Sequence, residues 1–212
     1  MKRIGIIDLQ GGVVEHLEHL ERLGVSAVRV REATDLDGLA GLIIPGGESS
    51  CLGRLLRLYE LDRAIGERFA AGMKLWGTCA GAILVAKRVD DEPAHLALMD
   101  IDIRRNAFGS QLDSFNAGFE VPVVADYPLP LTFIRAPKIT RLGEGVRSLL
   151  SLDDYCAAAE DAQTLVTVFH PELTPDLAFH RYFCRKCGMN EIGAALEPDW
   201  RRDSWTRLAA IP

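Results

Sequence analysis

No apolar run in this 212-residue chain reaches the length of a bilayer span. Its first residues, Met1-Lys2-Arg3-Ile4-Gly5, pass at once into a strand-like run, with no secretory leader. There is no basic surplus: 24 Lys and Arg stand against 30 Asp and Glu, a net charge of −6, and basic clusters go no further than pairs such as Arg104-Arg105 and Arg201-Arg202. That balance excludes a nucleic-acid footprint. Five cysteines, an odd number without a leader, exclude a secreted disulfide framework and point to reduced thiols in a cytoplasm. Internal repeats, low-complexity segments and interdomain linkers are also missing. What is present is a chain, 48% hydrophobic, long enough for one domain with a substantial core.

The first half alternates strand and helix. Arg3 to Leu9 is an apolar run suited to a buried parallel strand. Val13, Val14, Leu17, Leu20 and Leu23 recur at helical spacing, with Gly24 where a helix would end. Val25 to Val30 and Gly41 to Ile44 read as strands; helices follow from near Ser49 and over Leu61 to Ala71, and Met73 to Trp76 is a fourth strand. This alternation predicts a parallel sheet wrapped by helices. The second half reads as short strands: Leu98 to Arg104, Gly118 to Val124, Leu131 to Ile134, Val146 to Leu150, Tyr155 to Ala159 and Leu165 to Phe169. Turns at Asp126-Tyr127-Pro128, Gly143-Glu144-Gly145 and Asp153-Asp154 separate them. A last helix is expected with Thr174 as N-cap and Pro175 in its first turn.

Three segments carry chemistry. Trp76-Gly77-Thr78-Cys79-Ala80-Gly81 places a cysteine between glycines at a strand-to-helix junction, the geometry of a nucleophile elbow with sulfur for oxygen. The helix that follows aims its N–H groups at the sulfur and favours thiolate. On the glycines alone, a small buried cysteine explains the segment equally well. Phe169-His170-Pro171-Glu172 ends the last strand, at the sheet edge where such folds place their sites. On an extended segment His170 and Glu172 point the same way, so the carboxylate would fix one ring nitrogen and leave the other for the sulfur. Taken alone, a surface turn made by Pro171 is the better reading of this segment. Pro45-Gly46-Gly47-Glu48-Ser49-Ser50 lies between a strand and a helix, where two glycines leave N–H groups free for an oxyanion. A plain turn with Ser49 as helix N-cap is its alternative. It lacks the Gly-Lys-Ser/Thr ending of a phosphate loop.

Together these segments resemble the class I, triad-type glutamine amidotransferases. More narrowly, Leu9-Gln10-Gly11, Glu15-His16, Arg105-Asn106-Ala107-Phe108-Gly109, Asp113-Ser114-Phe115, Phe133-Ile134-Arg135-Ala136-Pro137 and Phe169 to Thr174 resemble the glutaminase subunits of pyridoxal 5′-phosphate synthases. The resemblance implies a single three-layer, flavodoxin-like α/β domain over residues 1–187, its mostly parallel central sheet flanked by helices, with 188–212 as a tail. It also implies a Cys79, His170, Glu172 triad acting on L-glutamine. Gly47, Glu48, Ser49, Arg105, Ile134 and Arg135 would hold the substrate, a guanidinium being suited to an α-carboxylate. Backbone N–H groups near Gly47 and Ala80 would stabilise the oxyanion, with Gln10 and Gly11 near the oxyanion hole and the partner interface. The implied partner is a synthase (lyase) subunit that receives the ammonia, in a hetero-oligomer without nucleic acid or membrane. No metal or organic cofactor is implied.

Departures from the family pattern are Ser50-Cys51, Asp8, and Ala159-Glu160-Asp161-Ala162-Gln163, which lacks the usual Gln-Gly-Asn turn. Outside the three segments little chemistry is expected. Cys184-x-x-Cys187 has no second pair to complete a zinc site. His16 and His19 share a helix face with Glu15 and are expected in solvent or at a partner, His95 and His180 lack a constellation, and Asp90-Asp91 reads as a solvated loop. Two rivals stand beside the main reading: the glutaminase subunit of another amidotransferase, and a catalytically silent regulatory module on the same fold.

Overall fold

The computed structural model describes residues 2–90, 92–105, 114–190 and 192. Its first half alternates as the hydrophobic pattern predicts: β1 (Arg3–Ile7), α1 (Val13–Arg22), β2 (Ala27–Val30), β3 (Leu39–Ile44), α2 (Ser49–Leu58), α3 (Leu61–Ala70), β4 (Lys74–Thr78) and α4 (Ala80–Val85). Ile4, Ile6 and Ile7 on β1, and Leu42, Ile43 and Ile44 on β3, are fully buried. A near-continuous apolar strand of this kind is what a sheet covered on both faces requires. The second half runs β5 (Ala86–Val89), β6 (Met99–Arg104), β7 (Ser114–Phe119), β8 (Leu129–Ile134), β9 (Lys138–Leu142), β10 (Arg147–Leu152), β11 (Tyr155–Glu160), β12 (Thr164–Thr167) and α5 (Ala178–Lys186).

One ten-stranded sheet joins both halves in the order β2-β1-β3-β4-β12-β11-β9-β6-β5, with β10 paired to β11, while β7 and β8 form a separate hairpin. From β2 to β12 every pairing is parallel, and β12 lies beside β4 with Thr167 opposite Thr78. This register brings the elbow at the end of β4 beside the segment that leaves β12. The result is an α/β domain with a mostly parallel sheet flanked by helices.

Several expectations change. The strand placed at Gly118 to Val124 begins earlier, as β7, and Val121 to Val124 is instead a turn closed by Val124 N–H to the Val121 carbonyl at 2.8 Å. Pro122, with no N–H, suits a turn better than a ladder. Strands β5 and β9 were not expected, because both are rich in charge. They are tied to β6 by Arg88 with Asp102 at 2.9 Å and Arg141 with Asp100 and Asp102 at 3.1 Å. The last helix starts at Ala178 rather than after Thr174. Asp176 accepts the Ala178 N–H at 2.7 Å, and Thr174 closes a short 3₁₀ turn, Pro171–Leu173, by donating its hydroxyl to the Pro171 carbonyl at 3.1 Å.

The β11–β12 hairpin forms without the family's usual turn. Asp161 accepts the N–H groups of Gln163 and Thr164 at 2.8 and 2.6 Å, and the Gln163 amide donates to the carbonyls of Phe69 and Met73. Cys184 and Cys187 are buried against the core and burial pushes both thiols up to about 12, as inert apolar packing would. The motif residues Asn106 to Gly109 and Asp113, Asp91, and the tail apart from 188–190 and 192, lie outside the described residues.

Candidate active site

The elbow is built by its neighbours. Cys79 sits at φ 46°, ψ −102°, a conformation a side-chain-bearing residue adopts only when its surroundings impose it. Its N–H donates to the Thr167 carbonyl at 2.8 Å, and its own carbonyl accepts the Ala82 N–H at 3.1 Å. The sharp turn presses Gly81 onto β3: a Cβ there would collide with the Ile44 carbonyl, so only glycine fits. Cys79 ends up 8% exposed at the head of α4.

His170 follows β12 and is pinned by its N–H to the Thr132 carbonyl of β8 at 2.8 Å. A Cβ on Gly46 would strike the His170 ring and lie 3.3 Å from Cys79 Cβ, so thiol, imidazole and the Gly46-Gly47 turn share one small space. Glu172 reaches back from the 3₁₀ turn, and its Oε1 lies 2.7 Å from His170 Nδ1. The pair is therefore made by a tight turn and not by the extended segment expected from the sequence. Burial opposes charge on the ring, but the Glu172 carboxylate and the hydrogen-bonded Cys79 sulfur outweigh it and push the His170 pKa up to about 10. Burial likewise opposes charge on Glu172, and His16 and His170 together hold its carboxyl below the usual range.

The Gly46 loop meets the β1–α1 loop directly. Gly12 N–H donates to the Gly46 carbonyl at 3.1 Å, and Gln10 Oε1 accepts the Glu48 N–H at 2.9 Å. Gly11, at φ 108°, lies so close that a Cβ would overlap the Gly46 carbonyl. Glu48, not Ser49, caps α2, accepting the N–H groups of Ser50 and Cys51 at 3.1 and 2.6 Å. Those bonds, first that of Cys51, and the Arg105 guanidinium hold the Glu48 carboxyl low against the cost of desolvation. Arg105 bridges Glu48 at 2.5 Å, Ser50 at 2.7 Å and Glu92, a partner nothing in the motifs pointed to. Ser49 Oγ is buried with no hydrogen bond. Ala80 is buried beside Cys79. Ile134 and Arg135 close β8 two and three residues beyond Thr132 and are exposed, Arg135 at φ 44°.

Three histidines depart from expectation. His16 and His19 are fully buried and not solvated, and His180, expected to lack a constellation, is buried beside them. His16 Nδ1 lies 2.8 Å from His180 Nε2, and the His19 nitrogens face the carbonyls of Glu15 and Thr174, each at 2.8 Å. Spacing gave the signal: His16 falls three residues after Val13 and four before Leu20, inside the apolar stripe of α1. Asp90 pairs with Arg104 at 2.9 Å, and His95 Nδ1 takes a bond from Arg57 at 3.2 Å. Asp8, placed by sequence near Gln10, is occupied by Arg29 and Arg31.

A mostly parallel sheet with a cysteine elbow beside a His-Glu pair defines a class of α/β proteins, and comparison with known proteins narrows it. Residues 6–189 match the model of the SNO glutamine amidotransferase family, and the chain belongs to that family. It is 56% identical over 210 residues to pyridoxal 5′-phosphate synthase subunit PdxT of Syntrophus aciditrophicus (strain SB), covering 97% of this chain and 94% of that one. The subunit of the same name from Clostridium acetobutylicum is 46% identical over 184 residues, covering 86% of this chain and 99% of that one. A solved glutamine amidotransferase structure superposes with a TM-score of 0.82 at 42% identity, covering 87% and 98% of the two chains. PurLQS from Thermotoga maritima, with a TM-score of 0.62 and 12% identity over 87% of this chain and 98% of that one, shares the fold alone.

Proposed function

We propose that this chain hydrolyses the side-chain amide of L-glutamine and delivers the ammonia to a pyridoxal 5′-phosphate synthase subunit. The Cys79 thiolate attacks the amide carbon. His170, an imidazolium at neutral pH by virtue of its raised pKa, protonates the nitrogen as the C–N bond breaks, giving ammonia and a thioester. The ring then takes a proton from water, whose oxygen attacks the thioester and releases glutamate and thiolate. Glu172 holds the ring throughout. Backbone N–H groups at Gly47 and Ala80 serve the oxyanion, the Gln10-Gly11 segment buttresses that loop, and Glu48, Ser49, Arg105, Ile134 and Arg135 hold glutamine.

The observation that carries this reading is the strained Cys79 turn facing a His170-Glu172 pair made at 2.7 Å. The relatives' printed names, synthase subunits over nearly the whole chain, support the choice of partner. Such a subunit works in the cytoplasm, and no described helix is long and apolar enough to cross a membrane. Ammonia release from glutamine, measured with the cognate synthase subunit, tests the proposal. Cys79→Ala should abolish release and keep the complex intact on gel filtration; undiminished release would refute it.

A further inference from the structure

The triad uses only one oxygen of Glu172. Oε1 meets His170, while Oε2 is buried with no hydrogen bond, in a side chain 1% exposed. An ionised oxygen in that position is costly unless polarised hydrogen faces it. His16 Nε2 stands 3.6 Å from it and 3.4 Å from Thr78 Oγ1. The His16 ring itself is fixed from behind. Nδ1 meets His180 Nε2 at 2.8 Å, and both rings pack edge-on to Trp76, at 5.6 and 4.9 Å between centroids.

These contacts select one arrangement of protons. If His180 Nε2–H donates to His16 Nδ1, then His16 carries its own hydrogen on Nε2, facing Glu172 and Thr78. The partnerless His180 Nδ1 is then a bare lone pair. In the reverse arrangement, His180 Nδ1 becomes a buried N–H without an acceptor, and a His16 lone pair confronts the carboxylate. Both are penalties that the first arrangement avoids. Neutrality of both rings follows from their setting. Burial pulls the His16 pKa down to about 4 against the opposing pull of Glu172, with His19 and His170 adding to the fall. Burial, then His19, His16 and Arg22, keeps His180 uncharged.

We propose that His16, set in its Nε2–H tautomer by His180, is a positioning residue that keeps Glu172 ionised and turned toward His170. The proposal rests on Cys79, His170 and Glu172 being the reacting triad. Its test follows the Glu172 carboxyl by ¹³C NMR titration of the full chain, in wild type, His16→Leu and His16→Gln. The glutamine amide can return an N–H near the place of Nε2–H. The Leu variant should raise the Glu172 carboxyl pKa by about one unit, and Gln should restore most of it. With the synthase subunit present, kcat for ammonia release should fall about 10- to 100-fold in the Leu variant, KM for glutamine staying constant, with recovery in the Gln variant. An unmoved Glu172 titration in folded His16→Leu, or equal losses in both variants, would overturn it. Should His16→Leu not fold, His180→Phe removes the donor to His16 Nδ1 without touching Glu172. The same rise is expected there, and no rise overturns the proposal. A wild type that releases no ammonia refutes the glutaminase reading alone, because the carboxyl titration still decides the role of His16.

Discussion

On one side of Glu172 stands His170, 12% exposed and beside Cys79; on the other stands His16 of α1, fully buried against His180 of α5. Both imidazoles face the same carboxylate, yet one pKa rises to about 10 and the other falls to about 4. The difference is one of contact. His170 is at hydrogen-bond distance, 2.7 Å, from one oxygen and also has the sulfur, so pairing outweighs desolvation. His16 is at 3.6 Å, beyond hydrogen-bond reach of the carboxylate, and His19 and His170 oppose its charge, so desolvation prevails. In the proposed mechanism one residue type thus serves as a proton carrier on the wet side of the carboxylate and as a fixed dipole on the dry side.

Breaking the wet side should have the largest effect. His170→Asn should lower kcat about 10⁴-fold or more, and Glu172→Gln about 10³–10⁴-fold, since the members of such a triad act as a unit. Ammonia release with the synthase subunit measures both. A loss under tenfold for Glu172→Gln would mean that His170 does not need its orienter.

A smaller effect separates the two sides by pH. His16 has its pKa depressed in the fold, so between about pH 6.5 and 4 the unfolded chain binds the extra proton and stability falls as pH falls. A fall from the ordinary value to about 4 caps the loss at roughly 3 kcal/mol. His170 has its pKa raised, so its contribution is complete below pH 6.5 and is lost as pH climbs toward 10. Melting temperature should therefore peak near pH 6–7. His16→Leu should make the acid side shallower, the buried His19 and His180 keeping the rest of that slope, and Glu172→Gln should flatten the alkaline side. A profile unchanged by either variant would contradict the assignment of the two limbs.

The parallel half of the sheet and the elbow were legible because their signals are local. Apolar runs such as Leu42-Ile43-Ile44 and the glycines around Cys79 report burial and a tight turn directly. Strands β5 and β9 were not, because Lys87-Arg88 and Arg141 look solvated until Asp100 and Asp102 of β6 are set opposite them. That pairing is a property of register and not of any one segment. The His170-Glu172 pairing was legible as composition, while its 3₁₀ turn was not, since Pro171 fits a turn and an extended segment equally. The role of His16 is hidden for a related reason. Its partner His180 lies 164 positions away, so its burial was readable from α1 spacing but its purpose was not.

The most direct measurement is covalent labelling by a diazo-oxo-norleucine glutamine analogue, with the synthase subunit present and peptide mapping of the product. Of the five cysteines, Cys51 is exposed and the other four are buried, so simple accessibility favours Cys51. The account predicts one adduct, on Cys79, lost in His170→Asn. Labelling of Cys51 instead, or no adduct with the partner bound, would contradict it.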